Sequence, residues 1–207
     1  RMRLVAPREG WPDPRAAAMA SGAQRVLDQA GHFDTLAAAI GDCNLVLATT
    51  ARPRDLPTPV LGPAEAMGRA RSAAAGGARA ALLFGGERAG LASEEVGCAG
   101  AIVSLPVNPE FPSLNLAQAV MVLAYEWGRQ AGAAPAGGPP PAPRADALHL
   151  ADHLEEALEA AGHFHPPAKA ARMKRLLRAT LARLDLSDAE TRMFHGAIRR
   201  LTGQRRR

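Results

Sequence analysis

The sequence predicts an α/β fold, a parallel sheet with helices on both faces, followed by a small all-helical C-terminal extension. Three observations predict it. Short leucine-rich or β-branched runs alternate with alanine-rich segments upstream of residue 130. A Pro/Gly/Ala stretch, AGAAPAGGPPPAPR, then interrupts the chain at Ala131–Arg144. Beyond it, leucines recur at helical intervals among charged residues.

The strands expected are Arg3–Ala6 (RLVA), Leu45–Thr49 (LVLAT), Ala80–Phe84 (AALLF) and Ala101–Leu105 (AIVSL). Each is a short apolar run, the pattern of a strand buried on both faces. The intervening helices are expected at Asp13–Ala20, Thr35–Ile40, Pro63–Ala74 and Leu114–Arg129, with Ser113 as a routine N-cap for the last. The Pro/Gly/Ala composition cannot pack a core, so residues 131–147 are expected to be an extended, mobile linker. Downstream, Leu148–Ala161 ends at Gly162 and Pro166–Leu184 is a basic amphipathic segment. Ser187-Asp188-Ala189-Glu190 has the spacing of a capping box and opens a last helix to Leu201. The expected division is an α/β domain over 1–130, the linker over 131–147 and a basic helical domain over 148–207.

Composition narrows the functional classes. The 207 residues are 47% hydrophobic and 4% aromatic, enough for one medium core and a smaller one. No apolar run approaches a membrane span, and no charged-then-apolar leader opens the chain, so no membrane partner is expected. Cys43 and Cys98 are too few for a disulfide framework and lack metal-ligand spacing, which points to a reduced, cytoplasmic protein. His149 and His153 share a helix face, but HLADH lacks the glutamate of HExxH. With His163, His165 and His195 they make no credible metal set, and no metal is expected. The net charge of +5 is uneven: residues 1–147 hold 13 Arg and 13 acidic residues, residues 148–207 hold 12 Lys and Arg against 7 acidic ones. A basic tail suits a polyanion such as nucleic acid, with Arg172, Lys174 and Arg175 as its candidate contacts. Charge alone fits a solvated helical surface equally well.

Three loops follow three of the strands and should gather at the C-terminal edge of the sheet, where ligands bind. They are Ala48–Pro57 (ATTARPRDLP), Phe84–Leu91 (FGGERAGL) and Leu105–Asn115 (LPVNPEFPSLN). The glycines of the second let backbone amides approach a ligand closely, and Glu87 is placed to face it. GxGxxG, GxxxxGK[ST] and GxSxG are all absent, and His32 is the one histidine in residues 1–147.

In this order the loops are specific. LVLATTARPR (45–54), LLFGGERAGL (82–91) and SLPVNPEFPSLNLAQA (104–119) resemble the successive motifs of SPOUT-superfamily RNA methyltransferases of the SpoU class. The TTAR box, the NPE before SLN and the basic helical extension are most similar to the TrmJ-type tRNA 2′-O-methyltransferases. That resemblance implies a trefoil knot in the C-terminal part of the α/β domain, an exception to the rule against threaded chains. It also implies a homodimer, S-adenosylmethionine as cofactor, and tRNA as partner. The target would be the ribose 2′-OH of the pyrimidine that opens the anticodon loop. Carried over, the cofactor would be held by Thr49, Thr50, Ala51, Gly85, Leu105, Ser113, Leu114 and Asn115. Ser113, Asn115 and Glu87 would serve catalysis; Arg52, Arg54 and Arg88 would join Arg172, Lys174 and Arg175 on RNA. The family's first motif, N-x-G-x-x-A-R, whose Arg is thought to assist deprotonation of the 2′-OH, has no match. The chain opens on Arg1 beside a strand, so a preceding N-terminal segment is expected, and no catalytic arginine is assigned. The alternatives are a ribosomal RNA 2′-O-methyltransferase of the same class and a non-catalytic RNA-binding dimer.

Overall fold

The computed structural model describes residues 1–7, 11, 13–51, 56–130 and 139–203. Four parallel strands form the main sheet, in the order β4-β6-β3-β5: β3 (Leu45–Thr49), β4 (Val60–Leu61), β5 (Ala80–Leu83) and β6 (Ala101–Val103). Alternation along β3 builds two cores. Val46 and Ala48 point to one face, against Ile40, Leu83, Val96 and Ile102. Leu45 and Leu47 point to the other, against Leu61, Met67, Val103 and Leu123. Both faces of β3 are therefore covered, which is why its sequence reads as a continuous apolar run.

Helices supply the two coats. α4 (Pro63–Ala75) and α6 (Leu116–Arg129) cover the Leu47 face. Arg71 fastens them together, its Nε donating to the Trp127 carbonyl at 2.9 Å and its guanidinium lying 4.2 Å from the indole centroid. Pro63 starts α4 at a position that needs no N–H, and Gly77, at φ +82°, follows its end. α3 (Leu36–Ile40) and α5 (Ser93–Val96) cover the Val46 face.

The N-terminal strand departs from expectation. β1 (Arg3–Val5) pairs in parallel with β2 (Gly31–Phe33) in a separate two-stranded sheet. None of its residues is buried, so its apolar letters mark no strand covered on both faces. Side-chain links hold it near the core: Arg3 reaches Asp42 through both guanidinium nitrogens, and Arg79 joins the same carboxylate. The Arg3 hydrogen bond, with that of Arg79, holds the Asp42 carboxyl well below the usual range, against the opposing effect of burial. α1 (Pro14–Met19) falls within the expected Asp13–Ala20, whereas β2, β4, α2 (Gln24–Asp28) and α5 have no counterpart among the expected elements. All four are five residues or shorter, too brief for a period to show.

Three helices follow: α7 (Arg144–Ala160), α8 (Pro167–Ala182) and α9 (Asp188–Leu201). α7 starts inside the segment expected to be linker; residues 131–138 of that segment lie outside the described residues, and Pro141–Ala145 pack against the α/β part. The Arg144 and Ala145 amides donate to the Cys43 and Gly41 carbonyls at 2.7 and 3.0 Å, and Asn44 Nδ2 donates to the Pro141 carbonyl at 2.7 Å. The proline-rich composition hid this because the groups that satisfy its backbone lie about a hundred residues upstream. The capping box is present at α9: Ser187 N–H donates to Glu190 at 2.8 Å, and Glu190 N–H to Ser187 Oγ at 3.4 Å.

α7 and α9 meet through two histidines. The His153 and His195 rings stack at 5.1 Å, with their Nδ1 atoms 2.8 Å apart, so one must donate and the other accept. Burial, then His153, Arg199 and His149, hold His195 below its ordinary pKa, against a smaller opposing effect from Asp146. A folded value below the unfolded one means that this packing contributes fully above an unfolded-state pKa of about 6.5 and is lost as pH falls through the folded value. Melting temperature should therefore fall between pH 7 and 5, and His195→Phe should flatten that profile. An unchanged slope in the variant would show that the pair does not carry it.

Candidate active site

The three loops meet. Thr49 Oγ1 donates to the Leu83 carbonyl at 2.6 Å, which ties the end of β3 to the end of β5. The Thr50 amide donates to the Val103 carbonyl at 3.2 Å, which ties it to β6. Over these three strand ends lies a cleft of about 510 Å³, within the range of roughly 300–1,000 Å³ seen for small-molecule sites. Thr49, Thr50, Ala51, Gly85, Glu87, Leu105, Ser113 and Leu114 line it. The apolar floor comes from Phe84, Val103, Val107 and Leu116, none of them singled out in the sequence although all but Leu116 lie in the same loops or strand ends. What the sequence withheld was which side of each loop faces inward.

The FGGERAGL loop closes on itself. The Gly90 amide donates to the Gly86 carbonyl at 2.8 Å, and Gly90 has φ +66°. A Cβ on Gly85 would lie 2.1 Å from the Gly90 carbonyl carbon, so only glycine fits there. The closed loop lifts Glu87 and Arg88 to its exposed tip. Glu87 is the only ionisable side chain among the described lining residues, and Arg88 is not one of them. In the third loop, Asn108 Oδ1 accepts from the Glu110 amide at 3.0 Å and its carbonyl from Phe111 at 2.9 Å. This Asx turn carries the chain toward Ser113.

Three expectations change. Asn115, not Ser113, is the N-cap of α6: its Oδ1 accepts from the Ala117 amide at 2.9 Å. Helix α6 therefore begins at Leu116, two residues later than expected, and Ser113 is left on the loop facing the cleft. Asn115 is exposed and not among the lining residues, because its carboxamide oxygen is turned back onto the helix. On α8, Lys174 bridges Glu155 and Glu159, and Arg175 lies 3.8 Å from Glu94. Arg172 also has a partner. The acids beside Lys174 and Arg175 lie 15 or more residues away in sequence, where no local pattern could pair with them. Arg52 and Arg54 lie outside the described residues.

The thiols play no visible part. Burial pushes both Cys43 and Cys98 above the ordinary thiol pKa, which makes them poor nucleophiles. Among the described residues no group of three or more potential ligands could hold a metal, and no helix is long and apolar enough to cross a membrane.

A parallel sheet with a cleft at its C-terminal edge, lined from the segments LVLATTA, FGGERAGL and SLNLAQA, defines a class. Residues 1–125 match the SpoU rRNA Methylase family, and the chain belongs to it. Among particular proteins, it is 41% identical over 175 residues to the tRNA (cytidine/uridine-2′-O-)-methyltransferase TrmJ of Klebsiella pneumoniae, covering 81% of this chain and 71% of that one. The TrmJ of Pectobacterium atrosepticum is 39% identical over 173 residues, with the same coverage of both chains. The crystal structure of TrmJ from Z. mobilis superposes with a TM-score of 0.86 at 43% identity, covering 96% of this chain and 85% of that one.

Proposed function

We propose that this protein is an S-adenosylmethionine-dependent tRNA 2′-O-methyltransferase acting on a pyrimidine ribose of the anticodon loop. The observation that carries the reading is the one cleft formed jointly by the three motif loops. The tRNA methyltransferases to which the chain is similar support the substrate.

The residues present fit the cofactor. Glycine backbone at Gly85 and Gly86 and the apolar walls at Leu105, Leu114 and Leu116 suit an adenine slot, and no described lining side chain is cationic. That charge balance, with Glu87 at the rim, favours a cationic ligand over a phosphorylated one. When bound, S-adenosylmethionine supplies an electrophilic methyl group. The chain's part is to hold the ribose hydroxyl in line and close to it. Thr49 is locked to Leu83 and presents a fixed wall; Ser113 offers an uncharged hydroxyl at the cleft mouth; Glu87 adds the one negative charge. Asn115 fixes the start of α6 and so the position of Ser113 and Leu114 just before it.

Two further features belong to the same reading. The 104–129 segment is threaded as a trefoil knot, a reading supported by β6, which inserts beside β3 although β4 and β5 precede it in sequence. The enzyme is a homodimer through α6, where Val120, Met121 and Tyr125 are 42, 65 and 61% exposed on a helix with only Leu123 buried. Arg88, Arg52 and Arg54 are placed by the reading on the RNA.

Asn115→Ala should remove a cap worth about 1 kcal/mol, lowering the melting point by about 2–4 °C, and reduce methyl transfer at least tenfold. Normal transfer would reduce Asn115 to a cap alone. The whole reading is tested by incubating the protein with labelled S-adenosylmethionine and unmodified tRNA, then identifying nucleosides by mass spectrometry. A 2′-O-methylated cytidine or uridine is expected. Transfer to ribosomal RNA but not tRNA would move the substrate, and cofactor binding without transfer to either would favour the non-catalytic dimer.

A further inference from the structure

The basic excess of the tail is distributed unequally between its helices. On α8, Arg178 is 2.7 Å from Asp152 and from Glu155, Lys174 is 3.5 Å from Glu155 and Arg175 is 3.8 Å from Glu94, while Lys169, in the first turn, forms no ion pair among the described residues. α9 carries three more of that kind. Arg192, Arg199 and Arg200 form no ion pair among the described residues. Their spacing places them together. Arg192 and Arg199 are two turns apart, as are Met193 and Arg200, so the four side chains form adjacent rows on one face.

The floor of that face is small. A Cβ at Gly196 would meet nothing within 4 Å, and Ala197 beside it is exposed, so an extended backbone can approach the helix closely between the arginines. Met193, 60% exposed, flanks the same rows and gives an apolar surface suited to a sugar. The two acids of the helix lie at its first turn, and Glu190 is taken up by the Ser187 hydroxyl at 2.6 Å. What remains is a positive strip that forms no ion pair among the described residues, with Asp188 at its N-terminal end.

We propose that α9, through Arg192, Arg199 and Arg200, holds the phosphate backbone of the RNA substrate, and that the paired α8 cations Lys174, Arg175 and Arg178 do not. The inference rests on the RNA methyltransferase reading above and names the surface it requires. Charge complementarity selects the partner: guanidinium forks pair with phosphate oxygens in two-point contacts, and RNA presents them as a continuous line. Paired cations such as Lys174 would first have to break an existing bridge to do the same.

The test compares R192Q/R199Q/R200Q with K174Q/R175Q in the full chain, measuring binding of an unmodified tRNA transcript by fluorescence anisotropy across a salt series. The triple variant should bind at least tenfold more weakly at low salt, with a slope of log affinity against log salt shallower by about two, since each lost phosphate contact removes roughly 0.7–0.9. K174Q/R175Q should keep the wild-type slope. Should the triple variant fold poorly by circular dichroism, R192Q and R200Q alone should each flatten the slope by about one. Wild-type slope in the α9 variants, or an equal loss in K174Q/R175Q, overturns the proposal. So does a change in oligomeric mass by light scattering with tRNA binding intact, which would assign the face to a second copy of the chain. Wild-type protein that binds no tRNA overturns both this inference and the reading beneath it; wild-type binding with unaffected α9 variants overturns the inference alone.

Discussion

Gly85→Ala should abolish the proposed cofactor binding and methyl transfer together. A methyl group at this position would sit 2.1 Å from the Gly90 carbonyl carbon and 2.3 Å from the Leu91 amide nitrogen. Both are backbone atoms, so no rotamer change relieves the overlap. The Gly86–Gly90 bridge would have to open, and Leu91, 6% exposed, would be drawn out of the Val46-face core. Overpacking of this kind costs about 1–3 kcal/mol or more, a drop of roughly 2–12 °C in melting temperature for a chain of this size. The effect on the cleft should be larger, because the displaced loop is one of its three walls. Calorimetry should show S-adenosylmethionine affinity reduced by a hundredfold or more. Gly62→Ala is the control, since a Cβ there meets nothing within 4 Å and Gly62 does not line the cleft. Equal affinity in Gly85→Ala and wild type would show that this loop does not hold the cofactor.

Arg144→Ala should destabilise the junction of the helical tail by about 3 kcal/mol, whereas Arg144→Met should cost less than about 1 kcal/mol or stabilise it. Arg144 is 2% exposed, and its Nη1 donates to the Ala182 carbonyl at 2.8 Å. Its Nε and Nη2 make no hydrogen bond, and Asp185 lies 3.8 Å away. Burial holds the Arg144 guanidinium below its ordinary pKa and the Asp185 carboxyl above its own. In both groups desolvation outweighs mutual attraction, so the charge itself adds little stability. What Arg144 supplies is volume and one hydrogen bond between α7 and the end of α8. Alanine removes both and opens a cavity; methionine keeps the volume, and the half-exposed Asp185 turns to water. Melting curves separate the cases, with about 6–12 °C lost in the alanine variant. Equal losses in both variants would show that the guanidinium is needed for its charge.

Much of the fold was legible in the chain. LVLAT reads as a buried strand because both of its faces are covered, and covering leaves no polar alternation to misread. Ser187 to Glu190 reads as a helix start because its partners lie three residues apart. RLVA misled for the converse reason: its partner β2 is a three-residue strand with no period of its own, and the pair stands apart from the main sheet. At the site, the loops Ala48–Pro57, Phe84–Leu91 and Leu105–Asn115 were identifiable as loops that follow strands. The exchange of roles between Ser113 and Asn115 was not, because both are good caps and nothing local separates them.

The sequence by itself determined the parallel α/β order, the three motif loops and the basic tail, since each is written in residues near one another along the chain. Only the tertiary structure decided which cations of that tail are free. Lys174, Arg175 and Arg178 look as available as Arg192, Arg199 and Arg200 until α7 and α5 bring Glu155, Glu159, Asp152 and Glu94 against them. Ion pairing falls off with distance in space, and distance in space is what a folded chain sets.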